Sequence, residues 1–298
     1  MARWDRGEST STIPEWFFQA VETPAETRSV EVDECDVMYR LYPSEGKPGM
    51  LLIHGMNAHS RWWDFIAPQL TDEYAIAAMD LTGMGDSDYR YSYDPDTYAA
   101  EIVAVLDDAG FGNDATVVAH SFGGYQAVHA ANVSPGRFGK LVLVDSGIRH
   151  PDDPVPEHLM MMMSGKTKVY PDKENALNRF RLQPPQPCDN AYILQYIARN
   201  SLMAVDGGGW TWKFDEDLPS AMKDGDRKPE EYEALTLPLG LIYGCDSELF
   251  SLRTLEYMQS LIPQEFPAVG IENAQHHVFL DQPLAFVDAL RDMVAKLG

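Results

Sequence analysis

Basic charge, cysteine and long apolar runs are all scarce in this chain. Its 298 residues hold 23 Lys and Arg against 46 Asp and Glu, a formal net charge of −23 at pH 7. A field of that sign repels phosphate backbones and anionic bilayers, so nucleic acid and membrane surfaces are not expected as partners. The three cysteines, Cys35, Cys188 and Cys245, are too few and too scattered for a disulfide or zinc framework. No stretch approaches the roughly 18 consecutive apolar residues of a spanning helix. The first 25 residues carry Arg3, Asp5, Arg6 and Glu8 and no apolar run longer than Trp16-Phe17-Phe18, which is unlike a secretory signal. A soluble, cytoplasmic protein is expected.

What is present is a globular composition, 45% hydrophobic and 11% aromatic, on a chain long enough for one large core or one core with an insertion. Short β-rich runs alternate with helix-like stretches over 26–147 and again over 236–298. That grammar predicts a mostly parallel sheet covered by helices on both faces. Ser29–Asp33 and Val37–Leu41 read as a leading hairpin. Met50–Ile53, Tyr74–Met79, Ala115–Ala119 and Lys140–Val144 read as short, mostly buried strands, and Leu239–Tyr243 and Phe266–Ile271 read as strands. Helical spacing covers Ser60–Leu70, Thr97–Ala109 and Pro283–Leu297. Residues 148–235 break the rhythm with clustered proline, the Met160–Met163 run and Gly207-Gly208-Gly209-Trp210-Thr211-Trp212. They predict an inserted, mainly helical cap, with no convincing strand alternation. Residues 1–25 read as an N-terminal extension.

The strongest chemical signal is Val117-Val118-Ala119-His120-Ser121-Phe122-Gly123-Gly124, running from a predicted strand directly into a predicted helix. A serine on so sharp a turn requires tiny neighbours two positions away, here Ala119 and Gly123, and the turn presents its hydroxyl as a nucleophile. Upstream, the strand Met50–Ile53 ends in His54-Gly55-Met56-Asn57. Together these motifs resemble the α/β-hydrolase family, and the fold they imply is that family's sheet with a cap inserted.

The resemblance implies further roles. The amides of Met56 and Phe122 would form an oxyanion hole, and His54 would fasten its loop rather than act as an acid or base. Asp80-Leu81-Thr82-Gly83-Met84-Gly85-Asp86-Ser87 resembles a structural turn of the family. Leu241-Ile242-Tyr243-Gly244-Cys245-Asp246 resembles the segment bearing the triad acid, which assigns Asp246. Asp145 is the competitor, since it also ends a strand, but its place at the cap entrance suits a hinge equally well. Asn273-Ala274-Gln275-His276-His277-Val278-Phe279-Leu280-Asp281-Gln282-Pro283 resembles the family's histidine loop, and counting back from Asp281 selects His276 over His277. A serine at position 121 excludes those members that use an aspartate nucleophile.

The expected catalytic set is therefore Ser121, Asp246 and His276. Trp210, Trp212 and Met161 of the cap are expected to line the substrate pocket. His59, His129, His150 and His158 lack metal-ligand spacing, and no Gly-x-Gly-x-x-Gly or phosphate loop occurs. Neither metal nor cofactor is expected, and the partner is a small-molecule substrate. The leading function is a carboxylesterase acting on small to medium esters with an apolar portion. The alternatives are a carbon–carbon bond hydrolase using the same triad and a non-catalytic small-ligand binding protein on the same fold.

Overall fold

A computed structural model describes residues 13–153, 168–221 and 228–298. In chain order the first elements are α1 (Glu15–Glu22), β1 (Glu26–Val32), β2 (Cys35–Tyr42), β3 (Gly49–Ile53), β4 (Ala75–Met79), α2 (Pro95–Asp108), β5 (Thr116–His120), α3 (Phe122–Val133) and β6 (Lys140–Val144). Between β6 and the next long strand lie α4 (Lys173–Leu177), α5 (Ala191–Asn200), β7 (Leu202–Ala204), β8 (Trp210–Trp212), α6 (Leu218–Ala221) and α7 (Pro229–Glu233). The chain closes with β9 (Leu239–Gly244), α8 (Leu252–Leu261), β10 (Ala268–Ile271), α9 (Val278–Asp281) and α10 (Pro283–Lys296).

Eight strands form one sheet in the order β1-β2-β4-β3-β5-β6-β9-β10. The β1/β2 and β2/β4 pairs are antiparallel and every other pair is parallel. Alternate residues of the central strands feed opposite faces. Leu51, Ile53, Val117, Ala119, Leu141 and Leu143 pack with α2 and α3, while Met50, Leu52, Val118, Val142 and Val144 pack with Phe17 of α1 and Phe286 of α10. Helices on both faces bury these strands completely, which is why they read as continuous apolar runs.

The topology also places the site. From β3 the chain moves outward to β4, then returns to the other side of β3 to build β5 and continue the other way. The strand order thus reverses between β3 and β5, and a crevice opens beyond their carboxyl ends. The loops carrying His54–Asn57 and Ser121 leave from those two ends.

The structure departs from the expected pattern at Ser60–Leu70 and adds detail in two other places. Ser60–Leu70 is two short 3₁₀ turns, Ser60–Trp63 and Ala67–Leu70, rather than one helix. Pro68 explains this, because its ring would collide with the carbonyl of Asp64 in a continuous helix and it has no N–H to donate. The segment between β6 and β9 is not free of strands, since β7 and β8 form a small antiparallel hairpin around Gly207-Gly208-Gly209. The N-terminal extension also contributes to the interior. Phe17 is fully buried, with its ring 4.8 Å from Tyr192 and 5.8 Å from Tyr196 of α5, and 6.0 Å from Phe65. Tyr196 in turn donates to the buried Asp64 carboxylate at 2.5 Å, tying α5 to the core. Among the described residues no helix is long and apolar enough to cross a membrane.

Candidate active site

Ser121 follows β5 directly, with φ 50° and ψ −117°. That left-handed conformation is strained for a residue with a side chain and persists only where its surroundings fix it. Here the Ser121 amide donates to the Val144 carbonyl at 3.1 Å, and its own carbonyl accepts from the Ser146 hydroxyl at 2.7 Å. The turn also needs space behind it. A Cβ on Gly123 would lie 2.5 Å from the His54 carbonyl oxygen, and one on Gly124 would lie 2.2 Å from Ser146 Oγ.

His276 comes from the loop between β10 and α9. Its Nε2 stands 2.9 Å from Ser121 Oγ, and its Nδ1 stands 2.6 Å from Asp145 Oδ2. A carboxylate only accepts, so Nδ1 carries the proton and Nε2 presents a lone pair to the serine hydroxyl. Asp145 caps β6, the strand beside β5, with φ 43°. Its carboxylate is held on both oxygens: Oδ1 accepts from the Gly244 amide at 2.9 Å, and Oδ2 also accepts from the Ser247 hydroxyl at 2.7 Å. Both His276 and Asp145 are buried. A hydroxyl, an imidazole and an oriented carboxylate in series can move a proton away from the hydroxyl as it attacks an electrophile.

The sequence profile of the alpha/beta hydrolase family matches residues 50–289. The chain belongs to the alpha/beta hydrolase family. Among its relatives, the lipase LipV of Mycobacterium tuberculosis is 33% identical over 182 residues, which span 60% of this chain and 66% of that protein. A pimeloyl-[acyl-carrier protein] methyl ester esterase of Neisseria meningitidis is 26% identical over 255 residues, covering 82% of this chain and 75% of that one. Esterase Rv0045c of Mycobacterium tuberculosis is 24% identical over 253 residues, 83% of each chain. The crystal structure of that esterase superposes with a TM-score of 0.70 at 21% identity, covering 91% of this chain and 92% of that one.

Within this alpha/beta hydrolase the acid beside His276 is Asp145, which corrects the assignment of Asp246. Asp246 is exposed, and its amide donates to the Ala274 carbonyl at 2.9 Å. The turn that resembled the acid-bearing segment holds the acid instead of supplying it, through the Gly244 amide and the Ser247 hydroxyl. The signal for Asp145 in the sequence was its place at the end of the strand next to the nucleophile's.

The histidines around the site, His54, His120 and His277, are placed in fixed, neutral roles. His54 Nδ1 donates to the Gly55 carbonyl at 2.7 Å, and its Nε2 accepts from the Leu81 amide at 3.1 Å, which fastens the loop after β3 to the turn after β4. Burial pushes its pKa down to about 4. His277 is buried against Trp62 at a ring separation of 5.3 Å, and desolvation holds it well below the usual imidazole range. His120 Nε2 donates to the His276 carbonyl at 3.0 Å. One nitrogen from each of His120, His276 and His277 lies within 4.8 Å of the others, and both ring nitrogens of His276 are engaged by Ser121 and Asp145. Sequence spacing could not expose this cluster, because His120 is far from the other two along the chain.

Met56 and Asn57 form the middle of a turn closed by the Ala58 amide and the Gly55 carbonyl at 3.2 Å, with Asn57 at φ 58°. Phe122 opens α3, where the first N–H groups have no intrahelical carbonyl. Both residues border the cavity at Ser121, which measures about 210 Å³ and is walled by Tyr125, Phe214 and Leu249. A second cavity of about 330 Å³ shares Met56, Asn57, Gln183 and Phe214 with the first. Trp212 lines this second cavity. Trp210 lines neither: its backbone pairs with Tyr170, and its ring carries the Lys173 ammonium 4.1 Å from its centroid. Met161 lies outside the described residues.

Proposed function

We propose that this protein is a serine carboxylesterase acting on small to medium esters. The observation that carries the reading is the hydrogen-bonded series Ser121, His276, Asp145 opening into one cavity. Ser121 Oγ attacks the ester carbonyl while its proton passes to His276 Nε2, and Asp145 holds the imidazole in the accepting tautomer. The Met56 and Phe122 amides donate to the tetrahedral oxyanion. As the C–O bond to the alcohol breaks, His276 returns the proton to the departing alkoxide. Water then attacks the acyl-enzyme, giving its proton to His276, and the Ser121 hydroxyl is regenerated as the acid leaves. The names of three relatives as lipase or esterase support this reaction class.

The apolar wall of Tyr125, Phe214 and Leu249 suits an acyl or alkyl portion held by burial. Residues 148–235 act as a cap, supplying Gln183, Pro184 and Phe214 to the cavity from above the strand ends. Free Cys35, Cys188 and Cys245 support a reducing, cytoplasmic setting. A fluorophosphonate should label the wild-type protein on Ser121, with labelled peptide mapping to residues around 121, and p-nitrophenyl esters should be turned over faster than vinylogous diketones. Labelling of another residue, or faster diketone cleavage, would reject the carboxylesterase reading.

A further inference from the structure

Fifteen of the described residues line the 330 Å³ cavity beside the catalytic one, and among these described residues the charged members are Lys168, Arg179, Arg181 and Lys213, with no aspartate or glutamate. In a chain with 46 acidic and 23 basic residues this is the reverse of the overall balance. The catalytic cavity differs, since it includes Asp145, Asp215 and Glu216 alongside Arg149. Among the described residues Lys168, Arg179 and Arg181 have no carboxylate partner, and only Lys213 is paired, with Asp86. Arg181 spends its Nη1 nitrogen on the carbonyls of Asn178 and Phe180, leaving Nε and Nη2 of its guanidinium fork unused by them. The wall adds a neutral donor: Trp62 is buried, and its indole N–H meets no partner among the described residues.

Asn57 and Gln183 line both cavities, and the Asn57 side-chain amide donates to Gln183 Oε1 at 3.0 Å. That exposed contact joins two residues common to both spaces, and Met56 and Phe214 are also shared by the two linings. A molecule reaching across from Ser121 would pass the shared Met56 and Phe214 and end beside Lys168, Arg179 and Arg181, in a space that Trp62, Phe180 and Trp212 also line.

We propose that this second cavity is an anion subsite, so that the preferred esters carry an oxyanion, a carboxylate or a phosphate, at the end remote from the scissile bond. The inference rests on the esterase reading and narrows its substrate class. Charge explains the selectivity physically. The net field of the protein repels anions, so an anionic substrate needs local cations to offset that repulsion, and a neutral one does not. Each exposed ion pair contributes up to about fivefold in binding, so several acting together give a preference on the order of tenfold or more.

The test compares kcat/KM for p-nitrophenyl hemiesters of dicarboxylic acids, from succinate to sebacate, with neutral p-nitrophenyl esters of matched chain length. A second arm uses acylated glycerol phosphates against neutral acylglycerols. A preference for the anionic member in either arm, falling as salt is raised, supports the subsite, and the arm that shows it identifies carboxylate or phosphate. The double substitution Arg179→Gln and Arg181→Gln should reduce the anionic-to-neutral ratio about tenfold, and Arg179→Glu should reduce it further than Arg179→Gln. Thermal unfolding confirms that the variants are folded. If neutral esters are hydrolysed as well as or better than their anionic partners at every length in both arms, the subsite is refuted while the esterase reading stands. A ratio unchanged in the folded double variant refutes it equally. Loss of all ester turnover and of fluorophosphonate labelling in the wild type would instead overturn the esterase reading.

Discussion

Replacing Asp145 with asparagine isolates the part of the site that tertiary structure alone revealed. In the native protein Oδ1 meets one donor, the Gly244 amide, and Oδ2 meets two, the His276 Nδ1–H and the Ser247 hydroxyl. An asparagine must point its NH₂ group one way or the other. Facing Gly244 it would set its NH₂ group against that amide N–H in a buried position, at a cost of about 1–3 kcal/mol. Facing His276 it satisfies every partner, because the Ser247 hydroxyl can rotate to accept and His276 can move its proton to Nε2. The second arrangement wins, and it is the inactive one. With Nε2 protonated the imidazole cannot take the Ser121 proton, and kcat should fall on the order of 10⁴-fold, about 5.5 kcal/mol in activation free energy. The unfolding midpoint should change little, since no donor is stranded. Asp246→Asn removes a charge from an exposed side chain and should leave kcat within about twofold. Steady-state kinetics on p-nitrophenyl butyrate with thermal unfolding of both variants would decide the matter. A larger loss in Asp246→Asn, or a folded Asp145→Asn retaining more than a tenth of wild-type kcat, would refute the reasoning.

Ser121→Ala should abolish fluorophosphonate labelling and lower ester turnover on the order of a millionfold with the fold intact; a residual rate above a tenth of wild type would show that another nucleophile acts. Gly123→Ala drives a methyl group into the His54 carbonyl, 2.5 Å away, so it should cost about 1–3 kcal/mol and slow labelling of Ser121 as α3 shifts, whereas an unchanged Tm and labelling rate would show that the elbow has slack. Stability should fall on acidification. His54, pushed down to about 4 by burial, and His59, His120 and His277, held well below the usual range by desolvation, are neutral in the folded protein. Each binds a proton near 6.5 once unfolded, so the unfolded state holds more protons between those values, and the stability present above about pH 6.5 is lost towards pH 4, on the order of 3 kcal/mol for His54 alone. Asp80, raised to about 6 by burial, acts in the opposite direction between its unfolded value near 3.8 and 6. Glu101 and Asp281, raised by burial, and His129, where desolvation is overcome by hydrogen bonds to Asp96 and Glu231, act with Asp80. The four deeply buried histidines outweigh these groups, so the urea midpoint should drop from about pH 7 to pH 5, and a midpoint that rises instead would contradict these burial assignments.

The sequence by itself determined the elements that depend on local pattern. Buried parallel strands are apolar throughout, so β3, β4, β5, β6 and β9 were legible within a residue or two at each end, and the edge strand β10 was found as well. Ser121 was legible because its strained turn demands small residues at fixed offsets, and His276 because a loop motif fixed its register against Asp281. Pro68, by contrast, was present to be read as a helix breaker, and its effect on Ser60–Leu70 was missed.

The acid could be settled only in three dimensions. Asp145 and Asp246 both follow strands, and local pattern treats them alike. What separates them is the order of strands across the sheet, with β6 lying directly beside β5, and the direction a side chain takes at φ 43°. Likewise the cationic cavity gathers Lys168, Arg179, Arg181 and Lys213 from separate parts of a segment with no periodicity. The histidine cluster joins position 120 to positions 276 and 277. Such groupings depend on contacts between residues remote in the chain, and local propensity carries no record of them until the sheet has brought its strand ends together.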